Sequence, residues 1–108
     1  MRRGDLVSAI APGGYGKQRL YLVVQSDGFN PTHTSFTMAL LTSHIVGAPL
    51  FRITVDPSPA NGLRSVSQVM IDKLVTLPRV KIGPVIGAVH PDVMQRVDRS
   101  LVVWLGLA

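Results

Sequence analysis

The sequence predicts a small, mainly β (α+β) protein: a β-barrel of short strands with one C-terminal α-helix packed on it. Three observations carry that reading. Short apolar runs recur from Asp5 to Val89, each closed by Gly, Pro, Asn, Asp or Ser. The hydrophobic period changes after His90 from that of a strand to that of a helix. A length of 108 residues fits a single domain, 1–108, that buries roughly 65% of its unfolded surface, with no internal repeat or linker.

Asp5 to Ile10 is a short apolar strand that stops at Ala11-Pro12-Gly13-Gly14, a strong breaker. Arg19 to Ser26 is the best strand in the chain: Leu20, Tyr21, Leu22, Val23 and Val24 run on continuously, as in a strand covered on both faces. Asp27-Gly28 and Asn30-Pro31 mark a loop through Thr34. Ser35 to Thr42 forms the third strand. Leu50 to Val55 sets Leu50, Arg52 and Thr54 against Phe51, Ile53 and Val55, the alternation of a half-exposed strand. The stretch 56–62, with two prolines, Asn61 and Gly62, is a loop. Ser67 to Ile71 and Lys81 to Val89 are further strands, Gly83-Pro84 and Gly87 marking an edge or bend. The helix starts at His90-Pro91-Asp92, with Pro91 suited to the first helical position and Asp92 to the N-terminal dipole. Met94, Val97, Leu101 and Trp104 recur at helical spacing and are expected to face the core, and Gly106 is the stop.

Composition narrows the function. Eight Arg and three Lys stand against six Asp and no Glu, for a formal charge of +5. A small basic domain points to nucleic acid, an acidic protein partner or an anionic surface. Zero cysteines exclude disulfides and thiolate metal sites and fit the cytoplasm. Met1-Arg2-Arg3 leads straight into Gly4-Asp5 without an apolar h-region, so no signal peptide is expected, and no apolar stretch is long enough to span a membrane. Three scattered histidines give no metal-ligand spacing, and His33 and His90 read as structural or exposed.

Arg19 is the most informative residue. It follows a Gly/Pro loop and opens an apolar strand, while Thr42-Ser43-His44 closes another. A guanidinium is always charged and forks two hydrogen bonds onto a phosphate, and a neighbouring hydroxyl can donate to the same oxyanion. If the two strand ends meet, they form a site suited to an RNA phosphodiester.

Taken together, these pieces resemble the MazF/PemK family of toxin endoribonucleases. The resemblance runs almost the whole length: Met1-Arg2-Arg3-Gly4-Asp5-Leu6-Val7, the Gly-rich loop and Arg19, Val23-Val24-Gln25-Ser26-Asp27, and Leu40-Leu41-Thr42-Ser43. Phe51-Arg52-Ile53-Thr54-Val55, Asn61-Gly62-Leu63-Arg64, the stretch 67–73, Met94-Gln95-Arg96-Val97-Asp98 and Leu105-Gly106-Leu107 follow in order. The resemblance implies an SH3-like barrel, a homodimer, and cleavage of single-stranded RNA (mRNA) without metal or other cofactor. It also implies an acidic antitoxin that holds the toxin inactive, with DNA reached only through that antitoxin. The family's catalytic arginine falls on Arg19 and its catalytic threonine on Thr42. Leu20 stands where the family usually has proline, and Met70 where some members carry a basic residue.

Metal-free RNA cleavage uses the ribose 2′-hydroxyl as nucleophile, and needs a base, an acid and positive charge on the phosphorane. Arg19 fits the charge and Thr42 the donor. Asp72 and His44 are the candidate bases, imidazole having the better intrinsic pKa. Tyr15 and Phe29, in loops, can stack unpaired bases, whereas Tyr21 reads as core. Lys17 and Arg64 are loop cations for flanking phosphates, and Arg2, Arg3, Arg52 and Arg64 are expected to line a basic groove. A different class stays open: Arg19 to Asp27 also resembles a strand of the CcdB toxins, which share the barrel and bind DNA gyrase through a C-terminal Trp-Gly pair. Here Leu105 separates Trp104 from Gly106.

Overall fold

Alternation of side chains along each apolar run produces six strands and one helix in a computed structural model, which describes residues 1–10 and 17–107. The strands are β1 (Asp5–Ile10), β2 (Gln18–Val23), β3 (Ser35–Thr42), β4 (Arg52–Val55), β5 (Ser67–Pro78) and β6 (Ile82–Ala88), followed by α1 (Pro91–Trp104). They form one sheet in the order β4-β5-β3-β2-β1-β6, with every pairing antiparallel. Among the described residues β4 and β6 do not pair, so the sheet is not closed. It bends round nevertheless: the chain leaving β4 reaches β6, where the Ala88 amide donates to the Ala60 carbonyl at 3.0 Å.

The sheet is covered on both faces, which is why β2 is continuously apolar. Leu6, Leu22, Leu41, Val69 and Ile71 form one buried cluster with Val93 and Val97 of α1. Their strand neighbours Val7, Tyr21, Val23, Phe36, Met38 and Leu77 form the other. Three strands begin or end inside their expected bounds, β6 by a single residue at each end. β2 stops at Val23 because the Val24 and Gln25 amides both turn onto the Thr37 carbonyl, each at 3.2 Å. β4 begins at Arg52 because the Phe51 and Arg52 amides are spent on the Ala48 carbonyl.

β5 runs well past its expected end at Ile71. Ala39 lies opposite Leu74, yet Leu40 lies opposite Met70, so Ile71, Asp72 and Lys73 form a bulge and the strand resumes to Pro78. A polar pair in a bulge looks in sequence like a strand end.

The buried face of α1 also differs from expectation. Val93, Val97 and Ser100 are buried, Met94 and Leu101 pack partly against the core, and Trp104 is 49% exposed. The Ser100 hydroxyl donates to the Leu50 carbonyl, turning a polar residue inward that an apolar stripe passes over. Trp104 instead leans on Phe51, ring centroids 5.6 Å apart. The ends behave as expected: His90 caps the N-terminus by accepting the Asp92 amide on Nδ1 at 3.1 Å, and Gly106 takes φ +70° past the C-terminus. No described helix is long and apolar enough to cross a membrane.

Candidate functional site

The β2–β3 register brings the two informative strand ends together. Val23 lies opposite Met38, Leu22 opposite Ala39 and Tyr21 opposite Leu40. Carried two residues further, the same register sets Arg19 across from Thr42, on one face of the sheet. Both line an open cleft of about 770 Å³, together with Lys17, Gln18, Ser43 and Arg64. Arg19 is exposed at its mouth. The Thr42 Oγ1 accepts the His44 amide at 3.1 Å, which leaves the hydroxyl proton free to point at a ligand.

The third wall is the loop after β4, and Asn61 builds it. Asn61 is buried; its Oδ1 accepts the Ser58 and Leu63 amides at 3.0 and 2.9 Å, and its Nδ2 donates to the Asp56 carbonyl at 2.9 Å. Next to it, Gly62 has φ +70°, and a Cβ there would stand 2.5 Å from the Ile86 carbonyl oxygen. Gly87 is as confined, its would-be Cβ lying 2.5 Å from the Ala60 oxygen. Close approach of loop to strand thus delivers Arg64 and Ser65 to the cleft. On the opposite side the Gln18 amide reaches the buried Ser8 hydroxyl at 3.4 Å.

The described lining holds three cations, hydroxyls and an amide, and neither a carboxylate nor an imidazole. Such a set suits an anion that presents several oxygens. Two residues along β2 from Arg19, the Tyr21 hydroxyl is buried without a partner among the described residues. Burial raises its pKa, and the charge of Arg19 opposes the rise.

Four expected site residues therefore meet: Arg19, Thr42, Lys17 and Arg64. Three do not. Asp72 is gripped by Arg52 on the β5 bulge, with its carboxyl held below the usual range, foremost by that guanidinium and against the cost of burial. His44 sits in the exposed turn after Thr42 and does not line the cleft. Phe29 is exposed in the β2–β3 loop, at the far end of both strands from Arg19 and Thr42. Tyr15 lies outside the described residues. Arg3 pairs with Asp98 and Arg52 with Asp72, and neither lines this cleft. Asn61 and Gln18 had no role assigned from sequence. The Asn61-Gly62 pair was the available signal for the first, as a turn demanding side-chain hydrogen bonds and positive φ.

A family model for PemK-like, MazF-like toxins of type II toxin-antitoxin systems matches residues 2–105. The chain belongs to this family. A probable endoribonuclease MazF from Mycolicibacterium smegmatis is 45% identical over 109 residues, covering 100% of this chain and 99% of that protein. Among solved structures, a mycobacterial endoribonuclease in complex with its cognate antitoxin superposes with TM-score 0.81 at 25% identity, over 100% of this chain and 97% of that one. A MazE-MazF structure from Deinococcus radiodurans matches with TM-score 0.77 at 25% identity, over 98% and 96% of the two chains. The fold is accordingly that of the MazF toxins. The CcdB-like alternative is not favoured, since the match over nearly the whole chain is to the PemK-like, MazF-like toxins. The expected burial of Trp104 does not hold.

Proposed function

We propose that this MazF-like toxin is a metal-independent endoribonuclease that cuts single-stranded mRNA at short sequences and so inhibits translation and growth. The observation that carries the proposal is that Arg19, Thr42, Lys17 and Arg64 line one cleft. The likeness over the full chain to a probable endoribonuclease supports it. In this reading the 2′-hydroxyl gives its proton to water as its oxygen attacks the adjacent phosphorus, the P–O5′ bond breaks with O5′ taking a proton from water, and the products end in a 2′,3′-cyclic phosphate and a 5′-hydroxyl. Arg19 forks onto the phosphorane oxygens, whose charge grows as the bond forms, and Thr42 donates a hydrogen bond from its free hydroxyl to the same oxyanion. Preorganised donors of this kind contribute on the order of 3 kcal/mol each. Lys17 and Arg64 hold flanking phosphates. Neither Asp72 nor His44 is retained as the base, because neither lines the cleft. The active species is a homodimer in the bacterial cytoplasm, held inactive by an acidic antitoxin.

A cleavage assay tests this. Purified protein and a long single-stranded RNA are incubated with EDTA, and the product ends are mapped beside Arg19→Ala. Discrete fragments with cyclic-phosphate ends, lost in the variant, are expected. Intact RNA at high protein concentration would rule the proposal out.

A further inference from the structure

The cleft wraps the end of β2, and its two sides differ in chemistry. Side chains alternate across a strand, so Arg19 lies on one face and its neighbours Gln18 and Leu20 on the other. On that second face Leu20, Leu41, Leu63 and Ile86 form an apolar floor, the open end of the cluster that packs under α1. Ser8 lies opposite Leu20, which makes Gln18 its diagonal neighbour, and the Gln18 Nε2 donates to the Ser8 hydroxyl at 3.4 Å. Ser8 is itself buried and boxed in by β6: a Cβ on Gly83 would lie 2.9 Å from both its carbonyl oxygen and its hydroxyl. Glycine at 83 thus lets β6 close on Ser8 and fix the hydroxyl that orients the amide.

One amide proton goes to Ser8, which leaves Oε1 and the second proton of Gln18 side by side and without a partner among the described residues. A planar donor–acceptor pair above an apolar floor suits the edge and the face of a nucleobase. Single-stranded RNA is read in this way, by splaying bases out and bonding their edges. Hydroxyls discriminate less, because they rotate to donate or to accept, and that of Ser67 is in any case given to the Ser65 carbonyl. We propose that Gln18, oriented by Ser8, is a specificity-determining residue that reads the edge of the base next to the scissile phosphate. Arg19, on the other face of the same strand end, holds that phosphate. This rests on the ribonuclease reading given above. A volume of about 770 Å³ admits a base as well as its phosphate, since small-molecule sites run to roughly 300–1,000 Å³. Ser8 acts only through Gln18 and is a positioning residue.

The test uses the full chain and a set of single-stranded RNAs that differ at one position at a time beside the mapped cut. Ratios of kcat/KM between bases are compared for wild type, Gln18→Leu, Gln18→Glu and Ser8→Ala. Expected for Gln18→Leu is a loss of roughly tenfold or more in discrimination at one position only. Gln18→Glu, which can only accept, should turn the preference there toward bases that present an amino group and away from uracil, whose edge carries two carbonyls. Ser8→Ala should relax the same position by less. On an RNA abasic at that position wild type should itself slow, and Gln18→Leu should then match it. Unchanged base ratios in all three variants overturn the proposal, whether or not the rates fall, while leaving the ribonuclease reading intact. Relaxation spread over several positions is the mark of a loosened cleft and also overturns it. No cleavage by the wild-type chain sinks the ribonuclease reading and this one with it.

Discussion

Arg52 holds Asp72 by two parallel hydrogen bonds, Nε to Oδ1 at 2.9 Å and Nη2 to Oδ2 at 3.1 Å, each side chain being only 15% exposed. The pair ties edge strand β4 to the bulge in β5, and it fixes the carboxylate as a structural anion rather than a proton acceptor. Asp72→Asn should leave RNA cleavage within a few-fold of wild type. It should lower stability by about 1.5–3 kcal/mol, the scale of a hydrogen bond to a charged group.

The same pair sets a pH dependence. The folded carboxyl of Asp72 titrates below its unfolded value, chiefly because of the Arg52 hydrogen bonds. Its contribution is therefore complete above the ordinary carboxyl range near 4 and is lost as pH falls through the folded value. Urea unfolding midpoints measured between neutral pH and pH 3 should fall for wild type and fall less steeply for Asp72→Asn, which has no proton to gain. Parallel curves would mean that other groups carry the acid limb.

At the cleft, charge and geometry separate. Arg19→Ala should cost on the order of 10²–10³ in cleavage rate while shifting the melting temperature little, since the side chain is exposed. Arg19→Lys keeps the charge but not the fork, and should recover only part of that loss. Thr42→Val, which keeps the shape and removes the donor, should lose rate without loss of fold. Full recovery by lysine would show that position matters less than net charge.

How much of this is legible in the sequence depends on range. Strand positions and the helix follow from local period and punctuation, so β1, β3 and α1 appear close to their observed bounds. Arg19 and Thr42 are each visible as polar residues at a strand end, but their meeting is a matter of register between strands. His44 shows the limit of proximity in sequence: two residues from Thr42, its amide bonds back to that hydroxyl while its side chain stands in the exposed turn. Asp72 reads as a strand end because a bulge shares that polar signature, and only the jump from Leu74 to Met70 opposite β3 tells the two apart. Trp104 falls on the apolar stripe, yet the buried Ser100 takes a position on the helix that apolar counting gives to larger residues.

The loop carrying Arg64 should be sensitive to one methyl group. Gly62→Ala must hold φ +70° with a Cβ 2.5 Å from the Ile86 carbonyl oxygen, a backbone atom that cannot swing aside. The strain is worth about 1–3 kcal/mol before the clash is counted. Thermal unfolding should show the loss, and RNA affinity should fall with it as Arg64 leaves the cleft. A variant as stable as wild type would mean that the loop relaxes away from β6 at little cost.

The RNA track itself can be mapped by salt. Lys17 and Arg64 line the cleft beside Arg19, whereas Phe29 is exposed at the other end of the β2–β3 pair. For a single strand, removing one cation that neutralises a phosphate reduces the slope of log K against log salt by about 0.7. Lys17→Ala and Arg64→Ala should therefore weaken binding of an uncleavable oligonucleotide and flatten its salt dependence, additively if they hold different phosphates. Phe29→Ala should change neither affinity nor slope, because its ring lies too far along the strands to stack on a base held at Arg19. A clear loss of affinity in Phe29→Ala, with an unaltered slope, would mean that the RNA runs the length of β2 and that its bound path extends well beyond the cleft.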